Sequence, residues 1–155
     1  MEFQSNWYDN IVKEINLYQN SLNKKVSKKY KLDLLLRIAK RVAEFSTQCG
    51  QCQMFQQDIT TLTKELSYLP QTQNKEAQKR YFKTIGNITK HLQKQHKLVT
   101  KGQYIGTGMA IGAGTGVALG AALDNAAIGP ALGGTIGLAI GSYLDKKAQK
   151  EDRVI

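Results

Sequence analysis

Four side chains in this sequence carry the chemistry of soft or borderline metal ligands: Cys49, Cys52, His91 and His96. They are the chain's only cysteines and histidines. They come in pairs, C-x₂-C and H-x₄-H, and both spacings lie within the range of structural zinc sites. Thiolate sulfur and imidazole nitrogen are the donors that Zn²⁺ takes in such sites. A full Cys₂His₂ set leaves no coordination position open for water, which points to a structural ion and not to a catalytic one. The 38 residues between the pairs depart from the short loop of a zinc finger. Longer elements must therefore bring the two pairs together.

Those elements read as helices, because apolar residues recur in steps of three and four. The first pattern runs from about Ser5 to Leu22 through Trp7, Ile11, Ile15 and Tyr18. The second passes through Leu35, Ile38, Val42, Phe45, Cys49 and Cys52, then resumes at Ile59, Leu62 and Leu66. It makes a coiled-coil-like seam that ends near Pro70. The third runs from about Asn74 to Lys101 through Tyr81, Ile85, Ile88, Leu92 and Val99, with Gln95 at a core-type position. No proline separates it from Tyr104, so it is expected to run on, with Gly102 as a soft joint. Strand signals are missing throughout, and the expected fold class is all-α.

Folding the second and third helices against each other about the turn near Thr72 sets Cys52 opposite Leu92 and Cys49 opposite Gln95. The four ligand-type residues then lie at one height. One geometric objection stands, since histidines five apart on a regular helix diverge by about 140°. Gly50 offers a break that would let both thiols turn toward one ion. Two other readings compete with metal binding. The cysteines would also serve as small buried hydrophobes in the seam, with the histidines as polar flankers. Alternatively, the dithiol would close to a disulfide or release zinc on oxidation. A thioredoxin-like site lacks its βαβ setting, and c-type haem attachment is excluded by Gln53, where histidine is required.

Beyond Lys101 the composition changes sharply, with 12 of the 14 glycines lying between Gly102 and Gly141. Two uncharged segments, 104–123 and 126–144, flank a turn at Asp124 and Asn125. Glycines recur every fourth residue in each: Gly108, Gly112, Gly116 and Gly120, then Gly129, Gly133, Gly137 and Gly141. In water each interior glycine costs a helix about 1 kcal/mol relative to alanine. In lipid, small residues let two helices approach closely. Segments of this length would each span about 30 Å, which predicts a transmembrane hairpin. Pro130 requires the second helix to begin close by. Lys94, Lys97 and Lys101 precede the hairpin and Lys146, Lys147, Lys150 and Arg153 follow it, which places both termini in the cytoplasm. Gly106-Thr-Gly108 does not make a dinucleotide fingerprint, because no strand precedes it.

The run from Gly106 to Glu151, with its Gly/Ala-rich segments, Asp124-Asn125 turn and Asp145-Lys-Lys-Ala148 tail, resembles a bacterial glycine-zipper hairpin family. The resemblance covers about the last third of the chain. It implies a bacterial membrane protein able to oligomerise, and it implies no chemistry.

The net charge of +10 resides largely before Lys101. Lys24–Arg41 and Lys75–Lys101 each hold eight basic residues against a single acid. Such faces suit anionic lipid headgroups or nucleic acid. Beside a membrane hairpin, lipid is the simpler partner, and the aromatic residues sit at core spacings and not on the basic faces. The N-terminus has no apolar stretch of a secretory signal. No carboxylate pair stands in an apolar setting, and no small-molecule substrate is implied, so the chain does not read as an enzyme. The expected organisation is a basic helical cytoplasmic domain (1–101), a glycine-zipper hairpin (102–145) and a charged tail (146–155). The expected function is a zinc-stapled, membrane-anchored scaffold, assembly or sensing module, forming a homo-oligomer. The alternatives are a pore-forming effector and a basic helical nucleic-acid binder.

Overall fold

In a computed structural model, which describes residues 2–72, 74–122, 125 and 127–155, the chain is all-helical, and the described residues form no strand. Seven helices follow one another among them: α1 (Glu2–Ser21), α2 (Lys24–Lys29), α3 (Leu32–Phe45), α4 (Gly50–Glu65), α5 (Lys75–Gln95), α6 (Gln103–Ala122) and α7 (Ile128–Lys150). They make two compact units, one ending at His96 and one from Lys97 to Val154.

In the first unit, α3 is the central helix. Its apolar residues Leu35, Ile38 and Val42 step by three and four and are fully buried. Ile11 and Ile15 of α1, Ile59 and Leu62 of α4, and Tyr81, Ile85, Ile88 and Leu92 of α5 complete the core. Each large aliphatic side chain buried this way contributes about 1.5–3 kcal/mol. Asn23 and Asn74 cap α2 and α5 by accepting from the backbone N–H groups of Val26 and Ala77. The end of the unit beside the α4–α5 turn is tied by polar contacts. Tyr30 donates its hydroxyl to the Leu69 carbonyl, and Tyr81 donates to the Tyr30 carbonyl, each at 3.0 Å. Glu65 and Arg80, on facing turns of α4 and α5, pair at 2.7 Å.

The break that Gly50 offered is present: the second apolar pattern is cut between Phe45 and Gly50, where Cys49 takes an extended conformation (φ −136°, ψ 107°). One expectation about the helices is corrected here. The third pattern does not run on toward Tyr104. It stops at Gln95, Lys97 turns left-handed (φ 56°), and Gly102 takes a positive φ (78°) just before α6. A positive φ at Gly102 carries no Cβ penalty, which is why the joint falls there. Gln95, placed at a core-type position by the pattern, is exposed.

In the second unit the two glycine ladders face one another. A Cβ added at Gly108, Gly112 or Gly116 would strike the carbonyl of Gly137, Gly133 or Gly129, and the reverse holds for each partner. At Gly120 it would meet the Asn125 carbonyl at 2.8 Å, and at Gly141 the backbone of Tyr104 and Ile105. Gly106 and Gly114, outside the ladders, have open space where a Cβ would go. The ladders are thus used within one chain. Asp145, buried on α7, accepts from the N–H groups of Tyr104 and Ile105 at 3.3 and 3.2 Å and so caps α6. Asp124 of the expected turn lies outside the described residues. Asn125 is exposed and donates its N–H to the Gly120 carbonyl.

The two-span expectation is also corrected. Among the described residues only α6 is long and apolar enough to cross a membrane, with a mean hydropathy of 1.3. The second helix begins late, at Ile128, with Pro130 in its first turn. That leaves 17 uncharged residues before Asp145, or about 26 Å of helix.

The ladder geometry makes a sharp prediction. Gly112→Leu would drive a side chain into the Gly133 backbone and should destabilise the hairpin by about 3 kcal/mol. Gly114→Ala should stabilise it by up to about 1 kcal/mol. Thermal melts of both variants in detergent, followed by far-ultraviolet circular dichroism, would separate them. Equal effects would mean that the ladders do not form the contact.

Candidate metal centre

All four ligand-type residues sit at helix ends. Cys49 is the N-cap of α4 and Cys52 lies in its first turn. His91 is in the last turns of α5, and His96 is its C-cap (φ −103°, ψ 4°). The start of α4 and the finish of α5 meet, and one sulfur or nitrogen atom from each residue lies within 4.8 Å of all the others. The objection about diverging histidines is thereby removed. His96 has left the regular helix, so its ring no longer follows the helical angle. The break that the sequence placed at Gly50 falls just before it and turns Cys49 inward.

The distances suit one ion. Nε2 of His91 is 3.4 Å from Cys49 Sγ and 3.6 Å from Cys52 Sγ, and Nε2 of His96 is 3.3 Å from Cys52 Sγ. A tetrahedral zinc with ordinary Zn–S and Zn–N bonds has S···N edges of about 3.5–3.6 Å. Hydrogen bonding alone accounts less well for this cluster. A single ring nitrogen carries one proton or one lone pair, yet Nε2 of His91 faces two sulfurs.

Two phenylalanines orient the rings. Phe45 stacks on His96 with centroids 4.0 Å apart, and Phe55 meets His91 edge-on at 5.3 Å. Sequence reasoning placed Phe45 in the seam without this role and passed over Phe55. The signal for Phe55 was its position, three residues after Cys52 and four before Ile59 on one helical face.

The electrostatics divide the two thiols. The Cys52 backbone N–H beside Cys49 holds the Cys49 thiol below its ordinary range, aided by the Cys52 side chain and the Gln51 N–H and opposed by burial. This is the expected effect of a helix N-terminus on a thiolate. Burial pushes Cys52 up to about 12, with the hydrogen bond to Cys49 and its charge adding to the rise. Burial lowers His91, and burial together with the charge of His91 lowers His96. Both imidazoles are therefore neutral at pH 7, the state that binds a metal. A base that holds its proton more weakly when folded favours the unfolded chain in acid. The metal-free fold accordingly loses stability as the pH falls through the ordinary imidazole range, and these two groups cost nothing above it.

Comparison with known proteins finds no matching family model, no matching curated protein and no matching solved structure. The chemistry of the site rests on its own geometry.

That chemistry fixes the proton balance of metal binding. At pH 7.5 zinc should displace protons from the thiols and none from the imidazoles, roughly one to two per ion. Once the pH falls below the ordinary imidazole range the imidazoles join the competition and affinity should fall more steeply. Calorimetry of zinc binding in buffers of differing ionisation enthalpy measures this release directly. Heats independent of the buffer would show that the thiols do not bind the ion.

Proposed function

We propose that this chain is a membrane-anchored helical scaffold whose first unit is stapled by a structural Zn²⁺ at Cys49, Cys52, His91 and His96. The observation that carries this reading is the convergence of four ligand atoms within 4.8 Å from two helix ends 38 residues apart. Each ligand type is one that zinc prefers, and the set is complete without water. In this role the ion contributes binding energy to folding and performs no turnover. It ties α4 to α5 at the end of the unit away from their connecting turn.

Anchoring is assigned to the second unit. Its ladder glycines face inward and many of its large residues outward. Ile111, Leu119, Leu132, Ile136 and Ile140 are each more than half exposed. A contiguous apolar surface of this kind is unusual on a soluble monomer and suits lipid. In this reading α6 provides the spanning helix, and α7 enters as its close-packed partner, since 17 uncharged residues make a marginal span alone. The glycine-zipper resemblance and the lysines on both flanks agree with insertion from the cytoplasmic side of a bacterial inner membrane, beside anionic headgroups.

The test is metal content. Full-length protein purified in detergent without chelator should hold about one zinc per chain. Cys52→Ser and His91→Ala should each lose it and lower the unfolding temperature of the first unit. Freshly reduced wild-type protein without zinc, or wild-type stability in both variants, would overturn the staple. Separately, the full chain should resist alkaline extraction from membranes, and a chain lacking 103–150 should not.

A further inference from the structure

Cys49 and Cys52 hold unequal places at the start of α4. Cys49 is the N-cap residue, with extended backbone and a partly exposed side chain. Cys52, one turn on, is completely buried. The two sulfurs belong to one cluster less than 4.8 Å across. Cys49 can thus be approached from solvent, whereas Cys52 is shielded from it. Dithiol exchange requires this division of labour. One sulfur must be open to an incoming disulfide, and the second must be near the first yet shielded from outside attack.

We infer that Cys49 and Cys52 form a reversible dithiol–disulfide pair, in which Cys49 exchanges with a small-molecule disulfide, Cys52 resolves the adduct, and closure discharges the metal. Only the last clause rests on the zinc reading. The small disulfide is the oxidant. The Cys49 thiolate attacks one of its sulfurs, that S–S bond breaks, and a first small thiolate leaves. The Cys52 sulfur then attacks Cys49 Sγ, and a second small thiolate leaves. In the metal-free protein the Cys52 proton is released to solvent. Overall, two protein thiols lose two electrons and two protons, and one small disulfide becomes two thiols. Closing the S–S bond to about 2.05 Å requires rotation of Cys49, which its place at the helix start permits. A disulfide sulfur carries no charge and binds zinc poorly, so two neutral imidazoles would remain and the ion would leave.

The experiment uses full-length, reduced, zinc-supplied protein in detergent, treated with oxidised glutathione. Intact mass reports the disulfide as a loss of two hydrogens, and a chromogenic chelator reports zinc. The expected result is that disulfide formation and zinc release proceed in parallel and are both reversed by dithiothreitol with added zinc. In Cys52→Ser a glutathione adduct should accumulate on Cys49. In Cys49→Ser residue 52 should stay unmodified over the same time. Faster modification of Cys52 than of Cys49 would overturn the assigned roles. Wild-type protein that holds zinc and keeps both thiols under oxidant would overturn the pair and leave the structural site standing. Wild-type protein that never holds zinc yet closes the disulfide would support the exchange pair and remove the staple.

Discussion

The meeting of two helix ends governs the first unit. A regular helix sets residues five apart about 140° apart around its axis, so His91 and His96 on an uninterrupted helix would not aim at one point. Here α4 starts at the cluster and α5 stops there. A helix end frees the next residue from the helical angle, and Cys49 and His96 both occupy such positions. The polarity of the ends is also suited to the donors, because an N-terminus stabilises thiolate charge. The α4–α5 pair is held at both extremities. Near its turn the Glu65–Arg80 pair and the Tyr30, Tyr81 and Leu69 hydrogen bonds bind it. At its open end stands the Cys/His cluster, walled by Phe45 and Phe55. A metal ion held at the open end of a long hairpin would restrict the unfolded chain as a short loop cannot.

The second unit obeys a different constraint, the approach of backbone to backbone. Where the glycines of α6 and α7 meet, there is no room for a Cβ. That contact uses the ladder glycines and leaves large apolar side chains such as Ile111, Val117, Leu132 and Met109 exposed. Asp145 closes the base by accepting from the first N–H groups of α6. The same glycines that weaken each helix alone therefore make the pair, and the exposed apolar surface follows from that exchange.

Much of this was legible in the sequence. Helical periodicity identified the core residues Leu35, Ile38, Val42, Tyr81, Ile85, Ile88 and Leu92, all buried. Periodicity could not show where helices end. The seam through Phe45, Cys49 and Cys52 keeps its rhythm across a break, because a short turn can preserve the inward direction of apolar residues while the backbone leaves the helix. The continuation of α5 toward Tyr104 failed for a similar reason. No proline marks the stop, and Lys97 adopts its left-handed conformation without being glycine.

The sequence by itself determined the all-helical class, the two compositional regions and the inventory of four metal-type ligands. These follow from residue type and local spacing, which need no knowledge of distant contacts. Only the tertiary structure decided that the two ligand pairs share one point, that Cys49 is reachable and Cys52 is not, and that the two glycine ladders face each other within a single chain. Each of these depends on where a helix ends or on which surface another helix covers. Those are properties of residues far apart in the chain, and no local pattern encodes them.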